Sequence, residues 1–306
     1  MTVRGRAASP GIAAGVVLLL GGTWGLAATE PAVTASGGGG AAGAFRLARI
    51  PYSGARGLYK DAQGFLEALA RRLRAGKASL VLAPDYEGAV DRLRAGEADA
   101  AWLGTLAYAQ ARARGVELTP LVCPVRRTGR TYTGLVITHR DARIYSLADL
   151  RGRRFGFVDH DSASGYLFPR LMLEQAGVRV PADLKTLRPG EPDFLGNHAN
   201  VVLNVLLRKV DAGAIYEGAA EEAVSNDPVR LAALRVLART EPIPGEPIVV
   251  LASAPQELKD RIRAAFLALF EDHALKFEDV LGFAPVRDSD YDYVRRLVSR
   301  TSDGVR

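Results

Sequence analysis

From Ala44 onward, strand-like and helix-like patterns alternate, and that alternation confines the chain to an α/β fold. Residues 45–50 read as a strand and 64–73 as a helix stopped by Gly76. Residues 79–83 read as a second strand and 86–93 as a helix closed by Gly96. A strand at 100–103, a helix to Arg114 and a strand at 118–123 continue the series. The βαβα order predicts a mainly parallel sheet with helices on both faces. Residues 124–130 break the pattern with proline, glycine and three arginines, Arg126, Arg127 and Arg130, which could draw anions to a cleft mouth or form a solvated loop. A second series then runs through a strand at 132–138, a short helix at 146–150, a strand at 154–158, two helices and a strand at 212–216. The Glu-Pro-Ile-Pro-Gly segment at 241–245 reads as a return crossing. Beyond it come a strand at 248–251 and an amphipathic helix at 256–270, with Leu258, Ile262, Phe266 and Leu269 on one face. The expected architecture is two lobes, 44–131 with 242–306 and 132–241, joined by two extended hinge strands with a cleft between them.

The N-terminus carries Arg4 and Arg6, then an uncharged stretch at 12–28 that ends in Ala27 and Ala28. This pattern reads as a secretory signal over residues 1–28, and its length also admits an uncleaved membrane anchor. Residues 29–43 are mostly small and include Gly37 to Gly40, so they read as a flexible tether. No Lys-Ser or Lys-Thr pair follows those glycines, which excludes a nucleotide-binding loop. Net charge is +6 with basic residues spread among acids, which argues against a nucleic-acid partner. Cys123 is the only cysteine, so no internal disulfide is possible, and the mature chain is expected to be a soluble periplasmic monomer.

The chemistry concentrates in Asp161-Ser162-Ala163-Ser164-Gly165-Tyr166, between the apolar run 154–158 and a helix-like 167–176. A helix start offers unpaired N–H groups and a positive dipole end, so such a turn can hold a small oxyanion. Ser162 and Ser164 add hydroxyl donors, and Gly165 is expected to let the backbone approach the ligand. An ordinary serine N-cap is the competing reading of the same residues.

Asp85-Tyr86-Glu87-Gly88, Trp102-Leu103-Gly104, the Ser-Leu-Ala-Asp-Leu-Arg-Gly run at 146–152, the Ser162-Ala163-Ser164-Gly165 loop, His198 and Ile243-Pro244-Gly245-Glu246-Pro247 occur in order with family-like spacing. Together they resemble the phosphonate-binding (PhnD-like) family of periplasmic substrate-binding proteins. The resemblance implies a type II clamshell that closes on a phosphonate, phosphite or phosphate and delivers it to the permease of an ABC transporter. It implies no cofactor, metal or catalytic residue. The family's anion loop falls on Ser162, Ala163, Ser164 and Gly165, its cleft tyrosines on Tyr86 and Tyr132, and its cleft histidine on His198. Two departures stand out: Ala163 replaces the loop threonine, and Ala199 follows the histidine where an acid is common. Glu217 is the candidate replacement for that acid as partner of a ligand amino group.

Cys123 opens a second reading within the family, an arsenite-binding sensor that signals to a membrane histidine kinase, because thiolate is the soft ligand trivalent arsenic prefers. A buried structural cysteine is the plainer account. An enzyme on the same two-lobed fold is a third reading, but Ser162 has no identifiable base and no catalytic motif is present. Asp159, His160 and Asp161 make a poor metal set on an extended chain, where neighbours face opposite ways. His139 and His273 read as surface residues.

Overall fold

The computed structural model describes residues 43–50, 55–271 and 274–302. The signal segment, all of the tether but Gly43, and His273 lie outside them. The first lobe begins with β1 (Ala44–Arg49), α1 (Ala55–Leu73), β2 (Lys77–Leu82), α2 (Tyr86–Arg94), β3 (Ala100–Trp102), α3 (Thr105–Ala113) and β4 (Leu118–Val125). The chain crosses through β5 (Thr131–Tyr132) into the second lobe. There it forms β6 (Gly134–His139), β7 (Phe155–Phe157), α4 (Phe168–Gln175), β8 (Asp193–Phe194), α5 (His198–Leu206) and β9 (Ala212–Tyr216). Two short helices, α6 (Ala219–Ala223) and α7 (Pro228–Ala232), lead to β10 (Leu234–Arg239) and the return strand β11 (Ile243–Pro244). The first lobe is completed by β12 (Ile248–Leu251), α8 (Gln256–Leu267), β13 (Gly282–Pro285) and α9 (Asp292–Ser302).

Both sheets are mixed, which corrects the expectation of mainly parallel ones. The first runs β2-β1-β3-β12-β4-β13, parallel among its first three strands and antiparallel at every later pairing. The second runs β10-β6-β9-β7-β8, with β9, β7 and β8 parallel and β6 antiparallel to both neighbours. The cause is the pair of crossings. β4 runs toward the hinge and β12 away from it, whereas β6 leaves the hinge and β10 returns to it, so each such pair meets antiparallel. β5 and β11 pair antiparallel through Tyr132 opposite Ile243, and these are the two connecting strands the proline-rich segments announced.

Helix α1 starts at Ala55, ahead of the expected residue 64, and runs through Gly64. An interior glycine costs roughly 1 kcal/mol in a helix. Ala62, Phe65 and Leu69, all fully buried on the same helix, outweigh it. Phe65 and Leu69 pack with Trp102, Phe266 and Phe277 on one face of the first sheet, while Tyr86, Leu93 and Tyr108 fill the other. The second sheet is likewise covered on both faces, by Val201 and Val205 on one side and Phe157 and Leu173 on the other. A fifth cluster joins the lobes: Leu106 and Ala109 of α3, Ala163, Leu167 and Phe168, the hinge residue Ile243, and Val294 and Leu297 of α9.

Candidate ligand-binding site

Four helical segments begin at one cavity. Tyr86, Thr105 and His198 are the first residues of α2, α3 and α5, and Ala163 opens the wide turn Ala163–Leu167 that runs into α4. Each of these four residues lines the cavity, and each follows a β-strand, so the site lies at the strand C-terminal ends where open α/β sheets place their ligands. Asp85 caps α2 by accepting from the Gly88 N–H at 2.7 Å, and Asn197 caps α5 through the Asn200 N–H at 2.8 Å. Helix α3 begins after Gly104 with no side-chain cap, so its first N–H groups remain available. Only glycine fits at 104, because an added Cβ would lie 2.4 Å from Tyr86 Cε1.

Ser162 caps the turn and also lines the cavity. Its Oγ accepts from the Gly165 N–H at 3.0 Å, which is the cap, and its own hydroxyl proton stays available on the cavity wall. Ser164 lies beside it, 3% exposed. The Tyr132 phenol, on the hinge strand β5, is within hydrogen-bonding reach of the Thr105 hydroxyl of the first lobe and the Ser164 hydroxyl of the second. Burial holds that phenol protonated well above neutral pH. His198 is pushed down to about 3 by burial alone, so its ring is neutral. Its Nδ1 accepts from the Tyr216 N–H at 3.2 Å, which leaves the proton on Nε2 as a further donor. The cavity measures about 40 Å³. At roughly 10–15 Å³ per water, that admits a group of three or four water-sized atoms.

Tyr86, Tyr132, Ser162, Ala163, Ser164 and His198 therefore share one wall, with Glu217 at its rim in an ion pair with Arg239. Gly165 and Cys123 do not line it. An added Cβ at Gly165 would lie 2.5 Å from the Val158 side chain and 2.7 Å from Ser162 Oγ, so this glycine lets the turn close against its own strand. Cys123 is buried on β4 beside Gly245, and burial pushes its thiol up to about 11, which keeps it a neutral apolar filler at physiological pH. The arsenite reading has no support in this wall.

Several wall residues escaped the sequence reading. Thr105 directly follows the recognised Trp102-Leu103-Gly104, and its hydroxyl donates to the Pro244 carbonyl at 2.6 Å, tying α3 to the return strand. Arg49 is fully buried at the end of β1, its guanidinium 4.2 Å from the Trp102 ring and 2.8 Å from Glu278. A charged residue closing an apolar strand was the available signal. Arg126, read as part of an anion-drawing loop, is instead held by Glu246 at 2.8 Å and Asp279 at 2.9 Å, while Arg127 and Arg130 are exposed. His139 is half-buried and accepts the Asp141 N–H. Asp159, His160 and Asp161 sit in a turn that brings their ligating atoms within 4.8 Å, contrary to the extended geometry assumed for them. They satisfy one another, His160 Nδ1 lying 2.7 Å from Asp161.

Against known proteins, residues 47–291 match the family of ABC transporter, phosphonate, periplasmic substrate-binding proteins. The chain belongs to that family. It is 26% identical over 275 residues to the phosphate-import protein PhnD of Mycolicibacterium smegmatis, covering 83% of this chain and 85% of that protein. It is 29% identical over 233 residues to the phosphonates-binding periplasmic protein of Escherichia coli, covering 74% and 66% of the two chains. The fold superposes on PhnD1 of Prochlorococcus marinus in complex with methylphosphonate with a TM-score of 0.72, at 20% identity over 85% of this chain and 98% of that one. The family places the protein among periplasmic binding components of importers. No helix among the described residues is long and apolar enough to cross a membrane.

Proposed function

We propose that this chain captures a small tetrahedral phosphorus oxyanion, a phosphonate, phosphite or phosphate, between its lobes and hands it to an ABC permease without chemical change. One observation carries the reading: a cavity of about 40 Å³ whose hydroxyl and imidazole donors come from both lobes and the hinge. An anion bridging Ser162, Ser164 and His198 on one side to Tyr132 and the α3 start on the other holds the lobes shut. Each such bond to a charged acceptor is worth about 1.5–3 kcal/mol. Four or five, less the cost of immobilising the ligand, reach roughly micromolar affinity or better. The relatives that import phosphate and bind phosphonates, and the methylphosphonate seen in PhnD1, support the same ligand class. In this reading residues 1–28 direct export and are removed, 29–43 form a tether, and 44–131 with 242–306 close as a monomer onto 132–241. Calorimetric titration with methylphosphonate, phosphite and phosphate tests it. Heat from at least one, with the ligand recovered intact, is expected, and silence from all three overturns it.

A further inference from the structure

Five carboxylates line this cavity meant for an anion, and each has one oxygen on a donor. Glu278 sits on Arg49 and Asp279 on Arg126, while Glu217 at the mouth pairs with Arg239 and Glu222 accepts from the Tyr216 hydroxyl at 2.5 Å. Glu246 differs. Its side chain is only 12% exposed, its Oε2 takes Arg126 Nη1 at 2.8 Å, and no hydrogen bond among the described residues reaches its Oε1. Its charge acts on the Tyr132 phenol, which places it beside the oxyanion donors. Those donors are neutral hydroxyls and a neutral imidazole, and both arginines of the wall already hold carboxylates. A doubly charged anion would thus share one wall with the Glu246 carboxylate. A singly protonated oxyanion would instead offer that carboxylate a proton, and in so small a cavity no long tail separates the two.

We propose that Glu246 Oε1 accepts a hydrogen bond from the hydroxyl of a monoanionic phosphorus oxyanion, so that the site takes the protonated form and rejects phosphonate and phosphite dianions and sulfonates, which have no hydroxyl to donate. The proposal rests on the phosphorus-oxyanion reading above and adds the charge state and the residue that reads it. The charged and titratable groups around Glu246 are Arg126 and Cys123 of the β4 region, Tyr132 of β5, Asp279 ahead of β13 and Tyr291 ahead of α9. The tyrosines and the cysteine stay protonated and Arg126 stays charged through neutral pH, whereas phosphorus oxyanions of this class lose their second proton near about pH 6 to 8.

Methylphosphonate and methanesulfonate are matched in shape and differ in that proton, so both are titrated calorimetrically into the full chain from about pH 5.5 to 8.5. Methylphosphonate affinity should fall about tenfold per pH unit above the ligand's second ionisation, with close to one proton taken up per ligand bound at the alkaline end. Methanesulfonate should bind at least about 10³-fold more weakly, because a site built for a hydroxyl leaves its acceptor unpaired. In Glu246→Gln the slope and the proton uptake should vanish and methanesulfonate should gain affinity. His160→Gln, beside the anion loop but outside the wall, should retain both. A native affinity that is flat or rises with pH, or comparable binding of the two ligands, overturns the proposal while leaving the phosphorus-oxyanion reading intact. Binding of no phosphorus oxyanion removes both. If Glu246→Gln does not fold by circular dichroism, the native slope and proton count decide.

Discussion

In the proposed reading Ser164 is the central donor, since it is buried on the cavity wall that Tyr132 shares. Replacing it by alanine should weaken oxyanion binding by about tenfold or more, because an oxygen left unpaired in a closed cleft costs roughly 1–3 kcal/mol. An unchanged dissociation constant by calorimetry would reduce the loop to a helix cap. Cys123→Ser, by contrast, should leave the dissociation constant within about twofold, as the thiol lies outside the wall. His198 carries the pH signature of stability. Its native value of about 3 lies below the ordinary 6.5, so below that ordinary value the unfolded chain binds a proton that the folded chain refuses. Stability contributed by the neutral ring is therefore complete above about pH 6.5 and declines as pH falls toward 3, by at most about 1.4 kcal/mol per unit. Urea unfolding of His198→Gln at a series of pH values should show a shallower acid decline than the native chain. Equal slopes would mean that the ring is solvated and titrates normally.

Helix α9 is an element with two allegiances. Tyr108 of α3 donates to Asp288 just ahead of α9, and Arg295 grips the same carboxylate at 2.6 Å, which anchors the helix to the first lobe. Its apolar face, Val294 and Leu297, meets Ala163, Leu167 and Phe168 of the anion-loop region together with Ile243 of the hinge. Ala163 packs its methyl into this apolar cluster and also touches the cavity. Leu297→Ala removes part of that packing and should destabilise the chain by about 2–3 kcal/mol, the lower part of the range for buried leucines. Denaturant titration checks the stability. The ligand dissociation constant should also rise, because the cluster joins surfaces of the two lobes; a stability loss with unchanged affinity would confine α9 to holding the first lobe.

At the scale of the molecule, the proposed anion would add a polar bridge to the apolar cluster that already joins both lobes and the hinge. Ligand at about a hundredfold excess over its dissociation constant should add about 2.7 kcal/mol to the unfolding free energy. That corresponds to a rise of roughly 5–10 °C in Tm for a chain with domains of this size. Differential scanning calorimetry of the Ser164→Ala variant at the same ligand concentration should show a visibly smaller rise. An equal rise would mean that the ligand stabilises from somewhere other than the cradle.

Local signals were enough for the α/β class and the two crossings. The anion loop was marked by its serines and glycine ahead of a helix, whereas Tyr86, Tyr132 and His198 were singled out by the family resemblance, since by themselves they read as edge-of-core aromatics and a helix-capping histidine. Strand direction was not legible, since a βαβ pattern says nothing of where a distant returning strand inserts; β12 enters between β3 and β4 only in three dimensions. The same limit hid β13 and α9, whose partners lie far away in the chain. It also hid Arg49 and Glu246, whose roles follow from contacts with residues more than a hundred positions distant. Residue types and spacing determined which donors this protein carries. The tertiary structure decided which charges surround them, because electrostatic environment depends on distance through space and burial, and neither is a property of neighbours along the chain.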